Sequence, residues 1–179
     1  MGFTKDELAA AADRTIPDVL PPEGGVLLCG INPGLWSAAT GHHFARPGNR
    51  FWPTLYRSGW TPRLLTPAEQ DLLPEYGLGI TNLAARATAR ADELTKAELA
   101  EGGEILSRLV AKVRPRYLAI AGVTAYRTAF QRPDAAIGPQ DARLGETAIW
   151  VLPNPSGLNA SWPLPRIAEE FARLRVAAG

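Results

Sequence analysis

Four short runs of consecutive apolar residues are spread along the chain, and helical patterns lie between them. The runs cover residues 26–32, 78–82, 117–122 and 149–154. They are continuous rather than alternating, which is typical of strands covered on both faces of a sheet. We therefore predict at least four buried β-strands.

The segments between the runs predict helices. Thr4 with Glu7, and Thr95 with Glu98, have the spacing of capping boxes, and Pro115 ends the second helix. The predicted helices cover residues 4–12, 50–58, 96–113, 124–130 and 165–178. Strands that alternate with helices favour right-handed crossovers, and hence a three-layer α/β/α sandwich around a mainly parallel sheet of four to five strands. We predict a single domain over residues 1–179, with its core at about 25–175.

Composition excludes several classes of protein. The chain has 179 residues with 46% apolar and 21% charged positions, and a mean hydropathy of −0.09. This balance is typical of one globular domain, and the apolar runs are too short to cross a bilayer. The N-terminus has no signal-peptide pattern, so we expect a cytoplasmic protein. Cys29 is the one cysteine, which excludes an internal disulfide and a cysteine-based metal site.

Charge is nearly balanced overall but unevenly distributed. The formal net charge is +1, yet residues 24–68 and 105–133 contain no acid and several arginines. Such segregation allows a basic face that could contact phosphates. The alternative, that the arginines are scattered over solvated helix faces, stays open at this point.

Two predicted strands end in an Asn-Pro step followed closely by glycine. These are Asn32 in GINPG and Asn154 in NPSG. Proline favours an extended conformation for the residue before it, which holds each amide side chain at the strand tip. Ligands of open α/β sheets bind at the carboxyl ends of the strands, so both amides could face one cavity. The alternative is that Asn-Pro only begins a turn.

A long polar and aromatic loop over residues 34–49 lies beside the first of these strand ends. Phe44 could stack on a planar ligand, or could anchor the loop in the core. His42 and His43 are expected on the loop surface or near a phosphate. No third ligand stands at a suitable spacing, so we predict no metal site.

The motifs GINPG, FARPGNRFW, GITNLAARAT and WVLPNPSGLN resemble, in order and spacing, the mismatch-specific uracil-DNA glycosylase and thymine-DNA glycosylase family of the uracil-DNA glycosylase superfamily. The resemblance extends from about residue 25 to residue 171. It implies a uracil-DNA glycosylase-like fold. It also implies a cofactor-free enzyme of base excision repair, which flips a damaged nucleotide out of double-stranded DNA. The expected substrate is uracil opposite G, with ethenocytosine or thymine as further bases.

The resemblance also assigns roles to residues. Asn32 would orient the attacking water, and we add the hypothesis that Asp92 helps to activate it. The alternative is that Asp92 only favours the following helix start. Ser37 could contact a phosphate or the base, or cap its loop, and Asn82 could line the pocket or only close a turn. The base pocket is expected to contain Ile31, Ser37, Phe44, Asn82 and Asn154.

The loop after Asn154 resembles the family's wedge, which enters the DNA stack. Leu158 would fill the space of the flipped nucleotide, unless it is a buried anchor. The wedge is completed by Ser156, Gly157 and Asn159. Of these, Gly157 and Asn159 could form hydrogen bonds with the opposite guanine. Bacterial members often carry Ser-Arg after the leucine, whereas this chain has Asn159-Ala160. That departure favours a broader tolerance of the opposite base.

Two other interpretations remain open. One is a glycosylase of wider scope that also acts on U·A pairs, single strands or deaminated purines, and the other is a non-catalytic domain that binds damaged DNA. No lysine lies in the motif loops, which argues against Schiff-base lyase chemistry and for a monofunctional enzyme. We expect a monomer that binds double-stranded, nucleoid-associated DNA, with no membrane partner.

Overall fold

A central sheet with helices on both faces forms the structure of residues 2–179, which the computed structural model describes. Its strands are β1 (Val26–Gly30), β2 (Leu78–Asn82), β3 (Tyr117–Ala121), β4 (Gly138–Leu144) and β5 (Thr147–Leu152). The strand order is β2-β1-β3-β5-β4. All neighbours pair in parallel except β4, which runs antiparallel to β5 at one edge. This confirms the predicted α/β sandwich with a mainly parallel sheet.

Helices connect the strands and cover the sheet. They are α1 (Lys5–Ala9), α2 (Leu35–Thr40), α3 (Phe51–Arg57), α4 (Lys96–Val113), α5 (Val123–Ala129) and α6 (Leu164–Ala178), with 3-10 helices at Pro67–Tyr76 and Ala91–Glu93. Within residues 2–179, none of these helices is both long and apolar enough to cross a membrane.

Alternate side chains of each central strand enter two separate cores. Val26 and Leu28 pack with residues of α3 and α6, whereas Leu27 and Cys29 pack with residues of α4 and α5. Because β1 is buried along its whole length on both faces, every position must be apolar or small. This explains why the strands read as continuous apolar runs.

The structure differs from the sequence prediction at the sheet edge and near the loops. β4 was not predicted, because its side chains alternate between the interior and solvent, as expected for an edge strand. Gly145 has a φ of +59° in the tight turn that joins β4 to β5. The short helix α2 and the 3-10 helix at Pro67–Tyr76 were also not predicted. The predicted run 78–82 coincides with β2, whereas the runs 26–32, 117–122 and 149–154 end one or two residues too late, because those residues belong to the loops that follow the strands.

Candidate active site

A cavity of about 360 Å³ lies at the carboxyl ends of the parallel strands. The loops after β1, β2 and β5 meet there, as the Asn-Pro steps predicted. Gly157 lies outside this cavity and lines a neighbouring depression with residues 46–49, and Asn159 lines neither. The remaining residues assigned from sequence all line the cavity: Ile31, Asn32, Ser37, Phe44, Asn82, Asp92, Asn154, Ser156 and Leu158.

The side chain of Asn32 is held in one orientation. Its Nδ2 donates to the carbonyl of Arg86 at 2.9 Å and to Oγ1 of Thr88 at 2.8 Å. Both protons of the amide nitrogen are therefore used. No residue in 2–179 donates to Oδ1 of Asn32, so this oxygen is the free acceptor that Asn32 brings to the cavity.

Thr88 makes that orientation unambiguous, although no pattern in the sequence indicated a role for it. Its hydroxyl donates its one proton to the carbonyl of Arg90 at 2.6 Å, so towards Asn32 it can only accept. Its backbone N–H donates to the carbonyl of Pro33 at 3.2 Å, which ties the Thr88 segment to the loop after β1. Thr88 is 5% exposed, so water does not replace these contacts easily.

Arg86 supplies the second acceptor for Asn32 and is itself anchored. Its guanidinium donates to Glu98 of α4 at 2.8 and 3.1 Å. This contact lowers the pKa of the Glu98 carboxyl and keeps it ionised. The first turn of α4 thus holds the backbone that orients Asn32.

Phe44 is both an anchor and a wall of the cavity. Its ring stacks on Phe51 with centroids 4.1 Å apart and an interplanar angle of 14°. Its backbone φ is +51°, an uncommon conformation for a large side chain that often marks functional sites. A Cβ on Gly30 would lie 2.8 Å from Oδ1 of Asn82 and 3.1 Å from Cζ of Phe44. Glycine at the end of β1 therefore allows both side chains to approach the strand tip.

The expectation that His43 lies on the loop surface is wrong. His43 is 1% exposed, and its Nε2 lies 2.8 Å from the carbonyl of Pro17. Its Nδ1 lies 3.4 Å from Nδ2 of Asn82. Burial lowers the pKa of His43 and favours the neutral imidazole, which donates to Pro17 and accepts from Asn82. Because Nδ2 of Asn82 lies on the side of His43, Oδ1 of Asn82 lies beside Gly30.

Ser37 and Asn154 both support loops that border the cavity. Oγ of Ser37 accepts from the backbone N–H of Ala45 at 3.2 Å, as in the loop-capping interpretation. Oδ1 of Asn154 accepts from the N–H of Ser156 at 3.0 Å and closes a turn.

Ile31 lines the cavity and also contacts two neighbouring loops. Its side chain lies against Gly122, and its carbonyl accepts from the N–H of Ala84 at 2.9 Å.

Charged side chains lie at the rim of the cavity. Oδ1 of Asp92 lies 3.0 Å from Nε of Arg90, and both side chains are 73% exposed. Such an exposed pair contributes little to stability and can open at low cost. Arg46 also lines the cavity and is exposed. Within residues 2–179, no group of His, Cys, Asp or Glu side chains is placed to hold a metal ion.

The loop after β5 projects one apolar side chain. Leu158 is 75% exposed, so the interpretation of a buried anchor is wrong. Nδ2 of Asn159 donates to the carbonyl of Asn154 at 3.0 Å, and its Oδ1 accepts from the N–H of Ser161 at 3.2 Å. The Asn159 side chain therefore stabilises the loop, and a contact with an opposite base would have to replace these bonds.

Aromatic side chains that line a pocket and apolar side chains that project from a loop are two features of proteins that bind extruded bases or unstack DNA. The chain belongs to the uracil DNA glycosylase superfamily, whose family model matches residues 17–175. Membership implies a DNA glycosylase, and hence a hydrolase that acts on uracil in DNA. The fold is similar to the solution NMR structure of a candidate uracil DNA glycosylase from Methanosarcina acetivorans, with a TM-score of 0.63 and 19% identity. The match covers 91% of this chain and 98% of that chain.

Proposed function

We propose that the protein is a monofunctional DNA glycosylase that removes uracil from G-mispaired sites in double-stranded DNA. Ethenocytosine and thymine opposite G are the proposed further substrates, and the reaction would initiate base excision repair. The observation that carries the proposal is the orientation of Asn32. Its Nδ2 is bound by Arg86 and Thr88, which leaves Oδ1 as an acceptor for a water molecule in a cavity lined by Phe44.

The proposed reaction is hydrolysis of the N-glycosidic bond. The flipped base lies against Phe44, and the bond between its N1 and C1′ of the sugar breaks with the electron pair leaving on the base. A water bound to Oδ1 of Asn32 adds to C1′ and loses a proton. An amide does not accept that proton near neutral pH, so Asn32 acts by positioning the water. The carboxylate of Asp92 at the cavity rim is the proposed acceptor.

Residues around the cavity fit a DNA substrate. Leu158 projects into solvent and would fill the space left in the base stack. The positive charges of Arg46 and Arg90 at the rim would attract the phosphates on either side of the flipped nucleotide. None of the described residues that line the cavity is a lysine, which supports hydrolysis rather than Schiff-base chemistry.

A second candidate is a uracil-DNA glycosylase that tolerates adenine opposite uracil. One observation favours it. The side chain of Asn159 is bound within its own loop, and residues 154–162 contain no arginine that could contact guanine. In that case the wedge would displace the nucleotide without selecting its partner.

The test is single-turnover release of base from duplexes with U·G, U·A, T·G or ethenocytosine·G, and from single-stranded uracil. We expect release from U·G, and loss of at least about 100-fold in Asn32→Ala because the water is no longer held. Thr54→Val is the matched control, since this buried residue lies outside the cavity. Equal rates on U·A and U·G support the second candidate. DNA binding without release from any substrate refutes both and favours a non-catalytic binding domain.

A further inference from the structure

A half-buried arginine lies beneath the loop that projects Leu158. Nη1 of Arg50 donates to the carbonyl of Trp162 at 2.8 Å. Nη2 of Arg50 donates to the carbonyl of Asn159 at 2.9 Å and also to the carbonyl of Ser156. One guanidinium therefore binds three main-chain carbonyls that span the loop on both sides of Leu158.

These contacts matter because the loop has no regular backbone hydrogen bonds of a helix or a sheet. Residues 153–163 lie in neither a helix nor a strand, so their carbonyls need partners from elsewhere. A guanidinium is planar, always charged and carries donors in a fixed fork, which suits several convergent carbonyls. Within residues 2–179, Nε of Arg50 is buried and has no hydrogen-bond partner, which costs free energy relative to a fully bonded guanidinium.

The backbone around Arg50 also contacts the loop. The N–H of Arg50 donates to the carbonyl of Pro155 at 2.9 Å. A Cβ on Gly157 would lie 2.7 Å from the carbonyl oxygen of Gly48, so these two segments touch through their backbones. The residue after Arg50 is Phe51, which stacks on Phe44. Arg50 thus joins the wall of the cavity to the projecting loop.

We propose that Arg50 is a positioning residue for residues 155–162. It holds their backbone in the conformation that projects Leu158, and through Leu158 it sets the rate at which uracil leaves a duplex. The second half of this inference rests on the proposed function. In this role Arg50 makes no contact with DNA, because Nη1 and Nη2 bind carbonyls of the loop.

Hydrogen exchange of the free protein tests the first half. In Arg50→Met, we expect the amides of residues 156–162 to exchange about 10- to 100-fold faster, because three charge-assisted bonds are lost. Arg50→Lys should recover part of the protection. The matched control is Arg175→Met, since Nε of Arg175 donates to the carbonyl of Ser58 at 2.9 Å in a turn away from the cavity. Unchanged exchange at residues 156–162 in Arg50→Met would overturn the inference.

A double-mutant cycle with Leu158→Ala tests the second half. Arg50→Met alone should slow release of uracil from a U·G duplex about tenfold, yet cause no further slowing in the Leu158→Ala background. On a duplex with a pyrene nucleotide opposite uracil, which fills the stack by itself, both single variants should release uracil as fast as the wild-type protein does on that same duplex. A structural defect or a lost charge on DNA would instead give additive effects and no restoration, and would overturn this half.

The two measurements separate this inference from the proposed function. If the wild-type protein releases no base from any duplex, the proposed function is refuted along with the role of Arg50 in flipping. The exchange experiment then still decides whether Arg50 holds the loop. If the wild-type protein is active and exchange is unchanged in Arg50→Met, the proposed function stands and the inference fails.

Discussion

Thr88→Val is the sharpest test of how the cavity acquires its acceptor. Valine has nearly the shape of threonine but cannot accept a hydrogen bond from Nδ2 of Asn32. In the native structure, rotating the Asn32 amide by 180° would exchange two good hydrogen bonds for two oxygen–oxygen contacts at Arg86 and Thr88. With valine, only the contact at Arg86 still opposes the rotation.

The expected magnitude follows from the bond that is lost. Nδ2 of Asn32 lies 2.8 Å from Oγ1 of Thr88, and Thr88 is 5% exposed, so water replaces the acceptor poorly. Leaving a buried donor without its acceptor costs about 1–3 kcal/mol. If that energy is lost from the transition state, single-turnover release of uracil slows by about 5- to 150-fold.

The assay compares Thr88→Val with two related variants under single-turnover conditions on a U·G duplex. Thr88→Ser keeps the hydroxyl and should stay close to the wild-type rate. Thr54→Val makes the same change at a fully buried threonine whose hydroxyl has no partner among residues 2–179, so it should leave the rate unchanged and raise the free energy of unfolding slightly. A Thr88→Val protein that is as fast as wild type, while Asn32→Ala is slow, would refute the argument that Thr88 orients Asn32.

Three further predictions concern groups around the cavity. Asn32→Asp should release uracil at least about tenfold more slowly, because one carboxylate oxygen would face the carbonyl of Arg86 at the position of a lost donor, and a faster variant would contradict this geometry. The pKa of His43 is lowered by burial, so the unfolded chain takes up a proton near pH 6.5 that the folded protein does not. The free energy of unfolding should therefore fall from pH 7.5 to pH 5.5 in urea titrations, and a constant value would show that His43 is not held neutral through Pro17 and Asn82. Asp92→Ala should slow base release by about 100-fold if its carboxylate takes the proton of the attacking water, and an unchanged rate would remove Asp92 from the mechanism.

The sequence alone was enough for the four buried strands of the sheet and for the position of the cavity. Parallel strands buried on both faces require apolar residues throughout, so β1, β2, β3 and β5 can be recognised from local pattern. Two of these strands end in Asn-Pro, and the carboxyl ends of parallel strands meet at one edge. Asn32 and Asn154 could therefore be placed at one cavity before any contact was known. β4 could not be recognised in this way, because one face of this edge strand is exposed to solvent and its residues do not form a continuous apolar run.

Only the tertiary structure decided what each polar side chain does. Asn32 is oriented by partners 54 and 56 positions away in the chain, and His43 is buried against a carbonyl 26 positions away. Arg50 binds carbonyls more than 100 positions later. The spacing of apolar residues in the sequence predicts strands and helices, because buried positions recur at regular intervals along each of these elements. Hydrogen bonds between loops carry no such period, since they depend on which distant backbone groups the fold leaves without partners.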